Sequence, residues 1–181
     1  MTGAKAGQRR LPSKDDCIEL LRQSGCGDDV IRHCETVSDL AVKIARKCGA
    51  DVEVVMVGGM LHDLGRSKTH GIQHAVEGVK IAEEKGLPQS VLRIIERHVG
   101  AGITRAEARK LGLPEKDFFP LSLEEKVVSH ADKLIDGSKR TSVKVAVSRF
   151  VRQGLPDVAM RVLKQHEELS ELCGMNVDDI Y

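Results

Sequence analysis

Val52-Glu53-Val54-Val55-Met56-Val57-Gly58-Gly59-Met60-Leu61-His62-Asp63-Leu64-Gly65-Arg66 is the stretch on which the fold turns. After Asp51, which suits an N-cap, ten residues run apolar on nearly every side, as a helix at the centre of a bundle must be. That helix delivers a histidine and an aspartate, side by side, into the interior. Outward from it the helical period repeats. Upstream, Val30, His33, Val37, Leu40, Ala41, Ile44 and Cys48 recur at spacings of three and four, from a start at Asp28 or Asp29 to a stop at Gly49. Ser13 with Asp16 opens a shorter helix before it, carrying Cys17, Ile18, Leu20 and Leu21 and broken by Gly25 and Gly27.

Downstream, a polar loop over 66–71 leads to a helix from about Ile72 to Lys85, ended by Gly86. Pro88 begins another, with Val91, Ile94, Ile95 and His98. Thr104 with Glu107 and Ser122 with Glu125 are further capping pairs, the second ahead of Val127, Val128, Asp132 and Ile135. Val143, Val145 and Val147 alternate like a strand, but Phe150 and Val151 continue at helical spacing, which favours a helix over 142–151. Pro156 to about Cys173 forms the last. The expectation is an all-α, single-domain helical bundle over 13–181, preceded by a flexible leader over 1–12.

The chain has 181 residues, with 28 Lys plus Arg against 27 Asp plus Glu. Near-neutral charge argues against bulk nucleic acid or an anionic membrane as a dominant partner. No apolar run approaches the roughly 18–20 residues that span a bilayer, and a cytoplasmic location is expected. Five cysteines without a C-x-x-C pair make a disulfide framework or thiolate zinc site unexpected, with Cys17, Cys34 and Cys48 expected as small core residues. One Tyr, three Phe and no Trp leave little for stacking on exposed bases.

Chemistry is concentrated in the histidines. His33, His98 and Asp132 each sit within an apolar helical stripe, where burial without a partner costs about 1–3 kcal/mol. One alone reads as a satisfied core histidine. Three on different helices, with His62-Asp63 at the end of the most buried helix, point to a shared partner. A metal cation suits neutral imidazoles plus carboxylates. His74 is a further candidate, four residues before Gly78 and seven before Ile81, with His70 as its rival. His130, two residues from Asp132, points the other way; it and His166 read as structural or surface residues.

His33, then His62-Asp63, then Asp132 in Ser129-His130-Ala131-Asp132-Lys133 resembles the H…HD…D pattern of the HD-domain metal-dependent phosphohydrolases over roughly residues 28–140. His62-Asp63-Leu64-Gly65-Arg66 is similar to the HDIG subset, in which Lys commonly stands where this chain has Arg66. His74 in His-Ala-x-x-Gly and His98 in Arg97-His98-Val99-Gly100 resemble the extra histidines of binuclear members, the HD-GYP phosphodiesterases and small diadenosine tetraphosphatases. The Gly-Tyr-Pro segment of the former is absent, which counts against cyclic dinucleotide hydrolysis.

The resemblance implies two metals held by His33, His62, Asp63, His74, His98 and Asp132, with Asp63 bridging them and catalytic. Such a pair, about 3.5–4 Å apart, would hydrolyse a phosphate ester or anhydride of a nucleotide or other small phosphorylated molecule. Nitrogen-rich ligation favours iron or manganese, with nickel, cobalt and zinc also suitable. Arg66, Lys68, Lys133 and Arg140 are the candidate phosphate contacts. A di-iron oxygenase such as myo-inositol oxygenase uses the same ligand set, and a non-catalytic nucleotide- or metal-binding sensor could retain it. The cations beside the doublet favour the phosphohydrolase.

Overall fold

The computed structural model describes residues 11–181. The leader expected over 1–12 lies, apart from its last two residues, outside the described residues. Nine helices follow in order among the described residues: α1 (Lys14–Ser24), α2 (Asp28–Cys48), α3 (Val52–Leu61), α4 (His74–Glu84), α5 (Gln89–Arg97), α6 (Arg105–Lys110), α7 (Leu123–Lys133), α8 (Val143–Arg152) and α9 (Pro156–Cys173). The fold is all-α, as the periodicity requires.

The local signals act as expected. Asp51 Oδ1 accepts from the amides of Glu53 and Val54 at 3.0 and 3.1 Å, fixing the start of α3. Ser13 with Asp16 and Thr104 with Glu107 form reciprocal capping boxes. Ser122 caps α7, whereas the Glu125 carboxylate turns instead to the Leu121 amide at 2.8 Å and to Arg97 at 3.0 Å. Residues 143–152 are helical, so the valine alternation there does not make a strand.

Helix α3 is central, packed against α1, α2, α5 and α7. Two adjacent glycines let it approach its neighbours. A Cβ on Gly58 would lie 2.5 Å from Ile94 of α5, and one on Gly59 would lie 2.7 Å from the Ser38 Cα of α2. One apolar cluster joins α2, α3, α7 and α9 through residues such as Ile44, Val55, Val128 and Leu169; a second joins α1, α2, α3 and α5 through Leu21, Cys34, Met60 and Ile95. The doublet emerges between the two.

Three expectations need correction. Helix α4 begins at His74 rather than Ile72. Helix α7 ends at Lys133, and the chain reverses through a short antiparallel hairpin, β1 (Ile135–Asp136) with β2 (Lys139–Arg140). Gly137, at φ 60°, supplies the left-handed residue of that turn. Arg140 therefore does not continue the face of Asp132. The third concerns cysteine: Cys48 and Cys173 are joined by a disulfide, 125 residues apart in sequence, tying the C-terminal ends of α2 and α9. Counting local pairs cannot detect a partnership made by helix packing. Cys17 and Cys34 are free and buried.

Candidate metal centre and cavity

Six side chains from five places in the chain converge: His33 from α2, His62 and Asp63 just after α3, His74 from the first turn of α4, His98 just after α5, and Asp132 from α7. Each imidazole is oriented by its Nδ1. His62, His74 and His98 place theirs 2.8 Å from the carbonyls of Gly59, Gly71 and Ile95, in each case three residues back. His33 places its Nδ1 2.7 Å from the Gly137 carbonyl across the fold. A carbonyl only accepts, so each Nδ1–H donates, and a neutral ring then presents its Nε2 as a lone pair.

All four Nε2 atoms point at one another and at two carboxylates. His33 Nε2 lies 3.0 Å from Asp132 Oδ1, and His74 Nε2 lies 3.1 Å from Asp63 Oδ1. The Nε2 atoms of His74 and His98 are 3.0 Å apart. His62 Nε2 is buried with no hydrogen-bond partner, 3.6 Å from Asp132 Oδ1 and 3.7 Å from Asp63 Oδ2. Lone pairs facing lone pairs and carboxylates at these distances repel unless positive charge lies among them. Two groups, His33 with His62 and Asp132, and His62 with Asp63 and His98, have donor atoms all within 4.8 Å of one another. The donor set fits a first-row divalent cation, with nitrogen and oxygen ligands and the carbonyl contacts of the outer shell already made.

The electrostatics agree. Burial disfavours ionised Asp63, but the charge on His62 and the imidazoles of His74 and His98 beside it hold its pKa well below the usual carboxylate range. Burial likewise opposes Asp132, which Lys133, His33 and His62 hold well down. Burial, with His62 and His74 adding, pushes His98 down to about 4, leaving it neutral at physiological pH. Burial would lower His62 too, yet Asp63, Cys34 and Asp132 carry its pKa well above the histidine value.

Five members of the cluster, all but His62, line the floor of a cavity of about 790 Å³ built by residues from several helices. That volume is within the roughly 300–1,000 Å³ of small-molecule sites. Arg66 and Lys133 line it. Arg66 directs Nε to Asp63 Oδ1 at 3.2 Å and Nη1 to the His70 carbonyl at 2.6 Å. Lys133 spends two donors on the His98 carbonyl at 3.0 Å and on Asp132 at 2.5 Å. Lys68 is exposed and is not among the lining residues. Arg140 bonds the Val177 carbonyl at 3.0 Å, away from the cavity. His70 lines the cavity but lies outside the cluster. His130 and His166 form a separate buried pair, 3.0 Å apart.

Residues 30–136 match the HD domain family. The chain belongs to that family. Among relatives, it is 43% identical over 170 residues to a tRNA (cytidine(56)-2'-O)-methyltransferase of Picrophilus torridus, covering 94% of this chain but 50% of that protein. This HD domain thus spans half the length of that relative. It is 42% identical over 156 residues to an uncharacterized protein of Methanocaldococcus jannaschii, covering 83% of this chain and 88% of the other. In fold it resembles the crystallised HD domain of the Listeria monocytogenes phosphodiesterase PgpH in complex with cyclic-di-AMP. The TM-score is 0.54 at 15% identity, over 87% of this chain and 95% of that one.

Sequence reasoning missed the part of the cavity outside the HD match. Arg149, Phe150, Val158 and Arg161, from α8 and α9, line it as well. No spacing signal marks them, because they face the cavity only through the packing of α8 and α9 over the turn that follows His98.

Proposed function

We propose that this HD domain is a metal-dependent phosphohydrolase acting on a phosphate ester or anhydride of a nucleotide or similar small molecule. Its two first-row metals, iron or manganese by preference, would be held by His33, His62, Asp63, His74, His98 and Asp132. The observation that carries this is the convergence of four Nε2 lone pairs and two carboxylates beneath a cavity that also holds Arg66 and Lys133. Asp63 would serve both ions, since Oδ1 faces His74 and His98 while Oδ2 faces His33 and His62.

When bound, the cations supply Lewis acidity to the phosphoryl group and acidify a water. The protein supplies the rest. Asp63 is placed to orient the attacking water. Arg66, already anchored on Asp63, offers its guanidinium to the phosphoryl oxygens. Lys133 positions Asp132 and neutralises part of its charge.

The likeness to a tRNA methyltransferase favours a second possibility for the substrate, a phosphate carried on RNA rather than on a free nucleotide. Both are tested together. Metal content per chain is measured by elemental analysis in the parent, His62→Ala, Asp63→Ala and His74→Ala, alongside hydrolysis of nucleotides, dinucleoside polyphosphates and 3'-phosphorylated oligoribonucleotides. Near two metals in the parent, near one in His74→Ala, and none with no hydrolysis in the other two are expected, with helicity kept. Hydrolysis surviving His62→Ala or Asp63→Ala would defeat the assignment. Dioxygen uptake by the iron form without phosphate release would favour an oxygenase; tight nucleotide binding without turnover would favour a sensor.

A further inference from the structure

The ligand cluster accounts for the floor of the cavity and leaves most of its volume to the part of a substrate that does not react. One side of that space is built by Arg149, Phe150, Gln153, Leu155, Val158 and Arg161, all beyond residue 136, where the family match ends. Three of these residues are tied to neighbouring elements by short links. Val158 lies over the turn that follows His98, its Cγ1 3.5 Å from where a Cβ on Gly100 would stand. Arg161 is clamped to Glu107 of α6 at 2.9 Å. Arg149 Nη2 reaches the Lys133 carbonyl at 3.4 Å, one residue from Asp132, and its guanidinium carbon sits 5.8 Å from the Phe150 ring centre.

A chain of contacts therefore runs from Asp132 through Lys133 and Arg149 to Phe150. Among the described residues, Phe150 is the one aromatic side chain other than histidine that lines the cavity. It is half-buried, backed on the inner side by Ala146 and Val162, so its ring is held rather than free. An aromatic ring with an adjacent guanidinium plane is a surface on which flat π-systems stack.

We propose that α8 and the start of α9 form the specificity wall of this enzyme. The non-reacting part of the substrate is a planar aromatic group seated against Phe150 and Val158, and Arg149 stands between that group and the reacting phosphate. The proposal rests on the phosphohydrolase assignment for the phosphate end only.

Two measurements on manganese-loaded protein test it. The first compares kcat/KM for 1-naphthyl phosphate with that for methyl phosphate in the parent, Phe150→Leu and Val158→Ala. Leucine keeps apolar bulk and removes the ring, so Phe150→Leu should lower the naphthyl-to-methyl ratio about tenfold, within the range of one lost stacking contact. The second is a fluorescence anisotropy titration with 1-naphthylmethylphosphonate, which cannot be hydrolysed; its Kd should weaken by a similar factor. If neither ester is turned over but the phosphonate titration still depends on Phe150, the wall stands and the hydrolase assignment fails. An unchanged ratio and Kd, equal losses on both esters, or no phosphonate binding to the parent would each overturn the wall.

Discussion

Replacing Gly65 with alanine should disturb the metal centre without touching a ligand. Gly65 lies in the 3-10 turn Leu64–Ser67 that follows the doublet, and this turn rests on the first helical turn of α4. A Cβ at Gly65 would stand 1.9 Å from the His74 carbonyl oxygen and 2.5 Å from the Gly78 amide nitrogen, against an ordinary contact of at least 3.4 Å. Both obstacles are backbone and cannot rotate aside, so the turn and α4 must separate by about 1.5 Å or distort. Overpacking of this kind costs typically about 1–3 kcal/mol, and in a domain of this size each kcal/mol moves Tm by about 2–4 °C.

The separation acts directly on the site. Asp63 sits two residues before Gly65, and His74 is the residue struck, so their 3.1 Å approach must lengthen. Loss of such support commonly costs about 10–100-fold in metal affinity. Differential scanning calorimetry and elemental analysis after dialysis against a weak chelator should show a Tm lower by about 2–12 °C and less metal retained than by the parent. Gly78→Ala is the milder control, meeting the Ile95 Cγ2 at 2.8 Å and the Gly65 nitrogen at 3.1 Å. A Gly65→Ala protein with the parent Tm and full metal content would refute the geometric reasoning.

Further outcomes follow from other contacts. Lys133→Met should loosen Asp132 and weaken metal retention, seen as a lower chelator concentration for half-release; retention equal to the parent would show that Lys133 positions nothing. Asp51→Ala removes two amide contacts at the start of α3 and should cost about 1 kcal/mol, or about 2–4 °C in Tm, by thermal melt followed by circular dichroism. Burial pushes the thiol of Cys17 up to about 12 and that of Cys26 up to about 11, so native protein at pH 8 should resist iodoacetamide at both, with modification after urea counted by mass spectrometry. Because those folded values exceed the unfolded thiol value of about 8.5, the stability linked to them is complete below pH 8.5 and is lost as pH rises towards 12. The urea midpoint should therefore fall between pH 8 and 10.5, and fall less in Cys17→Ala.

The sequence made the bundle legible because its signals are local. Caps at Ser13, Asp51, Thr104 and Ser122 lie beside the helices they begin, and the apolar stripe of α2 repeats with the helix itself. The meeting of His33, His98 and Asp132 with the His62-Asp63 doublet was legible for a related reason, since a polar residue in an apolar stripe announces a partner, whereas the choice of His74 over His70 came from the family resemblance. The hairpin after Lys133 was missed because the polar turn at Gly137 is short, and the face of α7 was extended through it to Arg140. The Cys48–Cys173 bond and the α8–α9 side of the cavity depend on helices far apart in sequence meeting in space. No window of residues contains that information.

Three of the four imidazoles take their orientation from a carbonyl three residues earlier in their own turn. Each is a one-turn module, carrying its ring already aimed. Loops between the modules can then change length or residue type without re-aiming those three rings. His33 is the exception, since its ring is set by Gly137, 104 residues away in the chain. It is the one ligand whose aim reports whether the hairpin has docked, which makes a variant lengthened at that turn the place where a floor of this kind would first lose a member.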